Sequence, residues 1–339
     1  MNNGNALLTN TPNFLGMLFN SNVKKTQFLT AIGGTDGANA LITTNPEFPL
    51  SVNYSLSDPS QPEITENASV GAINPTYIGL SQGKNVIQIF TEDVVVSNLR
   101  ERATGRLSGI NTAGQMPEET SELALQVALH LEKMKRDMNY TALNGVYADG
   151  GLTNSAQPLK TRGIIAGITT NVVANADVST SEKFKDAVLE LIKKVYDKGM
   201  FGTPTLVVNS TDKVKLSKAF VQTNLTEVDR DRFVAGVGVN EIVTDFGKSV
   251  YVIVDNDVPN GTILLADLDY VKPVFTRDIE TGEVISVKAA PQRNGNAVNI
   301  YAEFGLDYGA EFNHGKLTYA VDDSGEDEST TEEESSTGE

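Results

Sequence analysis

The chain has 339 residues, 40% of them hydrophobic, with no cysteine and a formal net charge of −17. That length and apolar content can build a sizeable core, whereas the missing cysteines exclude disulfides, thiolate nucleophiles and Cys-based metal sites and fit maturation in a reducing compartment. Residues 321–339 hold nine of the 44 acidic residues and no basic one, so the rest of the chain carries only −8 and offers no basic footprint for sequence-read nucleic acid.

That tail is too polar and charged to fold, and is expected to be disordered. No stretch approaches the roughly 18 apolar residues needed to span a membrane. The N-terminus lacks the basic and apolar regions of a secretory signal.

Residues 1–44 mix short apolar clusters with Asn, Thr and Gly, and predict an extended arm with little core of its own. From Pro46 onward, "FPLSVNYSL" and "SVGAINPTYIGL" flank a Pro- and Asp-rich loop. "SQGK" at 81–84 is expected to turn the chain back into "NVIQIFTEDVVVS". This is the pattern of a long β-hairpin that is marginal alone and must lie on something else.

The strongest signal follows, "MPEETSELALQVALHLEKMKRDMNYTALNG". Leu123, Val127, Leu131, Met134, Met138 and Ala142 recur at spacings of three and four and share one helical stripe. Pro117, Glu118 and Glu119 suit the start of a helix over 117–145, and Gly145 suits its end. A second helix is expected behind a capping box of Ser179 and Glu182, with Phe184, Val188, Leu191 and Val195 on its apolar face. Strand-helix alternation over 165–265 predicts an α/β subdomain with a turn or cap at Asn209–Asp212. A β-meander with turns at "IETGE" and "QRNGN" covers 271–320. Within it Val298, Ile300, Ala302 and Phe304 alternate.

Groups able to do chemistry are scarce. The two histidines are His130, at the edge of the helical stripe and expected to be structural, and His314, in the turn-like "EFNHGK". No nucleophile elbow or phosphate loop is present. "DNDVPNG" at 255–261 places Asn260 and Ala266 where a calcium loop needs Gly and Glu, and is expected to be a hairpin turn. "GVGVNE" at 236–241 has two of the three glycines of a dinucleotide fingerprint and no preceding strand. Arg100, Arg102 and Arg106 fall within seven residues, and read either as a solvated surface or as intersubunit ion pairs. No catalytic residue, metal site or cofactor is predicted.

The order of arm, unsupported hairpin, long helix, α/β subdomain and β return resembles the major capsid proteins of tailed bacteriophages. These share the α+β architecture called the Johnson fold with encapsulin shells. "NVIQIFTEDVVVSN", "ERATGR" and "ELALQVALHLEKMKRDMNYTALNG" carry the resemblance most specifically, supported by "TPTLVVNSTDKVKLSKAF" and "DYVKPVFTRDI". It implies an N-arm at 1–44, an E-loop at 45–92 and a peripheral domain at 93–164 holding the spine helix. It further implies an axial domain at 165–265, return strands of the peripheral domain with a C-terminal segment at 266–320, and a tail at 321–339.

The resemblance also implies intersubunit contacts at Lys84, Asn85, Gln88 and Phe90, and at Arg100, Arg102 and Arg106. Lys84 is the only lysine of the loop, and no cross-link is predicted. The implied function is self-assembly through hexamers and pentamers into an icosahedral shell, formed in the bacterial cytoplasm and enclosing double-stranded DNA without reading it. A separate scaffolding protein, a portal and a decoration protein are the implied partners, and no membrane. The alternatives are an encapsulin-like compartment, a tail or surface structural protein, and an enzyme of unfamiliar type.

Overall fold

The computed structural model describes residues 26–35, 40–56, 59–71, 77–99, 122–198, 202–221, 240–244, 246–291 and 294–321. The first half of the chain contributes α1 (Gln27–Ala31), β1 (Leu41–Ile42), β2 (Glu47–Ser55), α2 (Glu66–Ser69), β3 (Gly79–Val86), β4 (Gln88–Ser97), α3 (Glu122–Asn144) and α4 (Ile164–Gly167). The second half contributes β5 (Val172–Val173), α5 (Ser181–Lys198), β6 (Pro204–Val208), α6 (Ser210–Val221), β7 (Glu241–Val243), β8 (Ser249–Val254) and β9 (Thr262–Asp267). It ends with β10 (Lys272–Phe275), β11 (Ile285–Ala290), β12 (Gly295–Asp307) and β13 (Gly315–Thr318).

The amphipathic stripe of α3 explains the first core. Met134, Met138, Ala142 and Leu143 are fully buried, and Leu123, Val127 and Leu131 are half-buried against the same cluster. The 23 residues of α3 make a rod of about 35 Å. Residues 117–121 of the expected helix lie outside the described residues. Gly145 ends the rod through close packing rather than a left-handed backbone. A Cβ there would lie 2.5 Å from the Thr161 carbonyl, and the Gly163 N–H donates to Gly145 O at 2.9 Å.

Beneath α3 lies a five-stranded sheet built on β12. One edge of β12 pairs antiparallel with β4 over ten positions; the other pairs with β11 and then β10, and β1 runs parallel to β10. The expected alternation in β12 is present, with Ile300, Ala302 and Phe304 buried and Leu306 continuing the row. The meander turn at "IETGE" is closed by the Asp278 carboxylate, which accepts from the Glu280 and Thr281 N–H groups.

A second sheet has the order β5-β13-β9-β6-β8-β7. Its two faces serve different cores. Val207, Leu264 and Ala266 join the cluster under α3, while Leu206, Val208, Ile263, Leu265 and Leu317 pack with Phe184, Val188, Leu191, Val195, Leu216 and Phe220 of α5 and α6. Burial on both sides is why β9 is a continuous apolar run instead of an alternating one. At the start of α6, Asn209 Oδ1 accepts the Asp212 N–H at 2.8 Å, the cap expected there.

Five expectations are corrected. The meander expected over 271–320 stops at β12: β13 inserts between β5 and β9 of the second sheet, where Leu317 is fully buried. "DNDVPNG" is not a hairpin turn, because β6 lies between β8 and β9, so the loop crosses the end of β6. "SQGK" is not a turn either. It runs inside β3, which pairs antiparallel with β2, and Gly83 falls where the register shifts between Pro49 and Val52. The cap of α5 is Thr180, whose Oγ1 accepts the Lys183 N–H, not Ser179. Residues 28–32 are no loose arm, since Phe28, Leu29 and Ile32 are buried in the first core.

Candidate assembly surfaces

The hairpin β2–β3 has a locked root and an open outer half. At the root, Phe48, Leu50 and Ile87 enter the first core, and Val86 is fully buried. Asn85 is completely buried there and uses every hydrogen-bonding position it has. Its Nδ2 donates to Leu306 O at 2.8 Å and Arg162 O at 3.1 Å; its Oδ1 accepts from the N–H groups of Arg162 at 2.8 Å and Val86 at 3.0 Å. An amide with no free donor, acceptor or surface has nothing to offer a second subunit, so Asn85 is an internal latch and not an intersubunit contact.

The other expected contacts on this stretch divide in the same way. Lys84 is exposed and pairs with Glu47 of its own hairpin at 3.0 Å; the Glu47 carboxylate raises its pKa. Gln88 is half-buried, and its Oε1 accepts the Thr161 N–H at 3.3 Å. Phe90 points inward and meets Phe304 edge-on at 6.1 Å. The outward residues of β4 are instead Ile89, Thr91, Asp93 and Val95. Period-two alternation gave the signal for this division, but not which of its two phases faced the core. Arg100, Arg102, Arg106 and residues 236–239 of "GVGVNE" lie outside the described residues.

Beyond the root, the hairpin carries large apolar side chains with no cover from the described residues. Tyr54 is 70% exposed, Val70 83% and Tyr77 91%, with Leu56, Ile64, Ile78 and Leu80 comparable. Thr65 caps the short α2 between the strands by accepting the Ala68 N–H at 3.3 Å. A two-stranded ribbon with this much open apolar surface is poorly stable by itself, so its shape depends on the root and on whatever covers it.

Polar junctions hold the rest together. The first N–H groups of α1 are accepted from a distance, Phe28 by Asp255 Oδ2 at 3.0 Å and Leu29 by Asn139 Oδ1 at 2.9 Å. Asn139 in turn donates to both Asp255 and Asp257. The loop once compared with a calcium site is thereby a knot joining α1, α3 and the second sheet.

Glu92 on β4 accepts from His130 Nδ1 at 2.9 Å and from Lys133, both on α3. Burial disfavours its ionisation, but those two donors outweigh burial and keep its carboxyl below the ordinary range. His314 is fully buried. Its Nδ1 accepts the Asp267 N–H at 3.1 Å while Nε2 donates to Tyr308 O at 2.6 Å, and desolvation lowers its pKa. That geometry holds a neutral imidazole in one tautomer, with no open side for a substrate. Among the described residues, no three His, Asp or Glu side chains are grouped as a metal-ligand set.

A family model described as SU10 major capsid protein matches residues 1–320. No curated protein matches the chain. Solved structures do. A chain of Mycobacterium phage Che8 aligns with a TM-score of 0.55 and 12% identity, covering 94% of this chain and 98% of that one. The capsid chain of a native GTA particle gives the same four values. The capsid chain of the Myoviridae phage XM1 aligns with a TM-score of 0.54 and 12% identity, covering 90% and 95%. At such identity these likenesses concern the fold, and the fold is the one the sequence resemblance implied.

Proposed function

We propose, from the premise that this chain belongs to the SU10 major capsid protein family, that the β2–β3 hairpin is the arm by which one subunit of the shell grips the next. The protein is a phage major capsid protein, and its place is the capsid of the virion. The observation that carries the proposal is the division within the hairpin: a root with every polar group satisfied, and an outer half with Tyr54, Leu56, Val70, Tyr77 and Leu80 open.

Burying one such side chain is worth about 1.5–3 kcal/mol. A few per contact make weak pairs, and a closed shell multiplies weak pairs by valency. In this reading, hexamers and pentamers form around axes near the second sheet, while the α3 rod and the first sheet form the perimeter. The subunit acts structurally, without catalysis. Enclosed double-stranded DNA is held by the wall and not by recognition, since the body carries no excess of positive charge. A separate scaffolding protein, a portal and a decoration protein belong to the same proposal.

Replacing residues 57–78 by a short Gly-Ser linker tests it, because this removes the outer loop and spares Asn85 and Val86. The expected result is a folded subunit that forms no particles in negative-stain microscopy. Closed particles of normal size would overturn the assignment.

A further inference from the structure

Among the described residues, the one buried side-chain polar atom without a hydrogen-bond partner is Asp212 Oδ2. Asp212 lies in the first turn of α6 and is fully buried. Its Oδ1 accepts the Tyr319 hydroxyl. A carboxylate with one neutral side-chain donor and one bare oxygen is costly to bury, and that burial pushes the Asp212 carboxyl above its ordinary range. Such a group in a native fold calls for a reason.

The donor comes from the far end of the body. Tyr319 directly follows β13, and its N–H donates to Gly261 O at 2.9 Å. Its side chain is buried and meets Phe184 of α5 edge-on at 6.1 Å. On the outer side, the exposed Lys215 of α6 donates to the Tyr319 hydroxyl at 3.1 Å. The hydroxyl therefore stands between an ammonium at the surface and a carboxyl in the interior. The titratable groups facing that carboxyl are Lys215 from α6 and Tyr319 from the end of β13. The loop before β9 brings only the Gly261 backbone, and α5 brings the uncharged Phe184 ring. Burial and the neighbouring Asp212 push the Tyr319 phenol upward, so it stays a donor.

We propose that Asp212, Tyr319 and Lys215 form a proton-operated clasp between α6 and the end of β13, tight while Asp212 is protonated and loosened when it ionises. A proton removes the buried charge, and a neutral acid short of partners costs far less than a bare carboxylate oxygen. Folded Asp212 holds its proton more strongly than the unfolded chain does. The clasp's contribution is thus fully present below about pH 4 and falls as pH rises through the folded value. Residues 321–339 carry nine acidic side chains, and the clasp fixes where that charge joins the second sheet. The device lies within one subunit and does not depend on how the hairpin engages a neighbour.

Hydrogen exchange of the full-length, unassembled subunit tests it between about pH 4.5 and pH 7.5. Subtracting a peptide that ends at residue 318 from one that ends at residue 321 isolates the amides of residues 319–321. After correction for intrinsic exchange rates, wild-type protection there is expected to fall as pH rises, by up to about tenfold per unit for one proton. Asp212→Asn keeps the shape and removes the charge, so its protection is expected to stay level over the same range. Tyr319→Phe keeps the ring against Phe184 and removes the hydroxyl, and is expected to open further than wild type at the upper end. Level protection in the wild type, or equal slopes in wild type and Asp212→Asn, overturns the proposal.

Discussion

The antiparallel pairs β2–β3 and β9–β13 use the same backbone hydrogen bonds for opposite ends. All six residues of β9 are buried between two cores, whereas of the eight in β3 only Asn85 and Val86 are buried. The pair β9–β13 is completed by its own chain. The pair β2–β3 is completed only at its root, and its outer half keeps Tyr54, Tyr77 and Leu80 open. A subunit that must fold alone and then assemble separates these tasks in space. The core sets stability and the ribbon is left unfinished.

That contrast breaks hardest if a charge is placed on each side of it. Met138→Asp puts a carboxylate into the first core, and the subunit is expected to lose its cooperative unfolding transition altogether. Tyr54→Asp on the open ribbon is expected to shift stability by less than about 0.5 kcal/mol in urea denaturation while abolishing particles. Leu131→Asp falls between the two, because Leu131 is half-buried.

The boundary between the two regions is the Asn85 latch. Asn85→Ala leaves the N–H and C=O of Arg162 and the carbonyl of Leu306 without their partner. A loss of about 3 kcal/mol is expected, together with faster proteolysis at the hairpin base.

The smallest effect is a pH dependence confined to the completed side. Folded His314 is neutral, with its pKa below the ordinary 6.5 because of burial. The unfolded chain therefore binds a proton that the folded chain refuses. This contribution to stability is fully present above about pH 6.5, and falls by at most about 1.4 kcal/mol per unit as pH drops toward the folded pKa. Stability curves of wild type and His314→Gln should diverge only below that pH. Parallel curves would remove His314 from the account.

Periodicity within one element was legible in the sequence. The stripe from Leu123 to Ala142, the alternation from Val298 to Phe304, the apolar face of α5 and the cap at Asn209 all come from spacing over a few residues, which local geometry turns directly into a face. The order of those elements also carried the family. Pairing across long separations was not legible. "GKLT" gives no sign that it will insert beside a strand some fifty residues earlier, nor does "QFL" show that Asn139 and Asp255 will hold its N–H groups.

The candidate surface was half legible for the same reason. The sequence by itself showed two strands flanking a Pro- and Asp-rich loop, a hairpin that is marginal alone. Only the tertiary structure decided that Asn85, Gln88 and Phe90 face inward and Ile89, Thr91 and Val95 outward, because a strand has two equivalent faces and the partner element selects which one is buried.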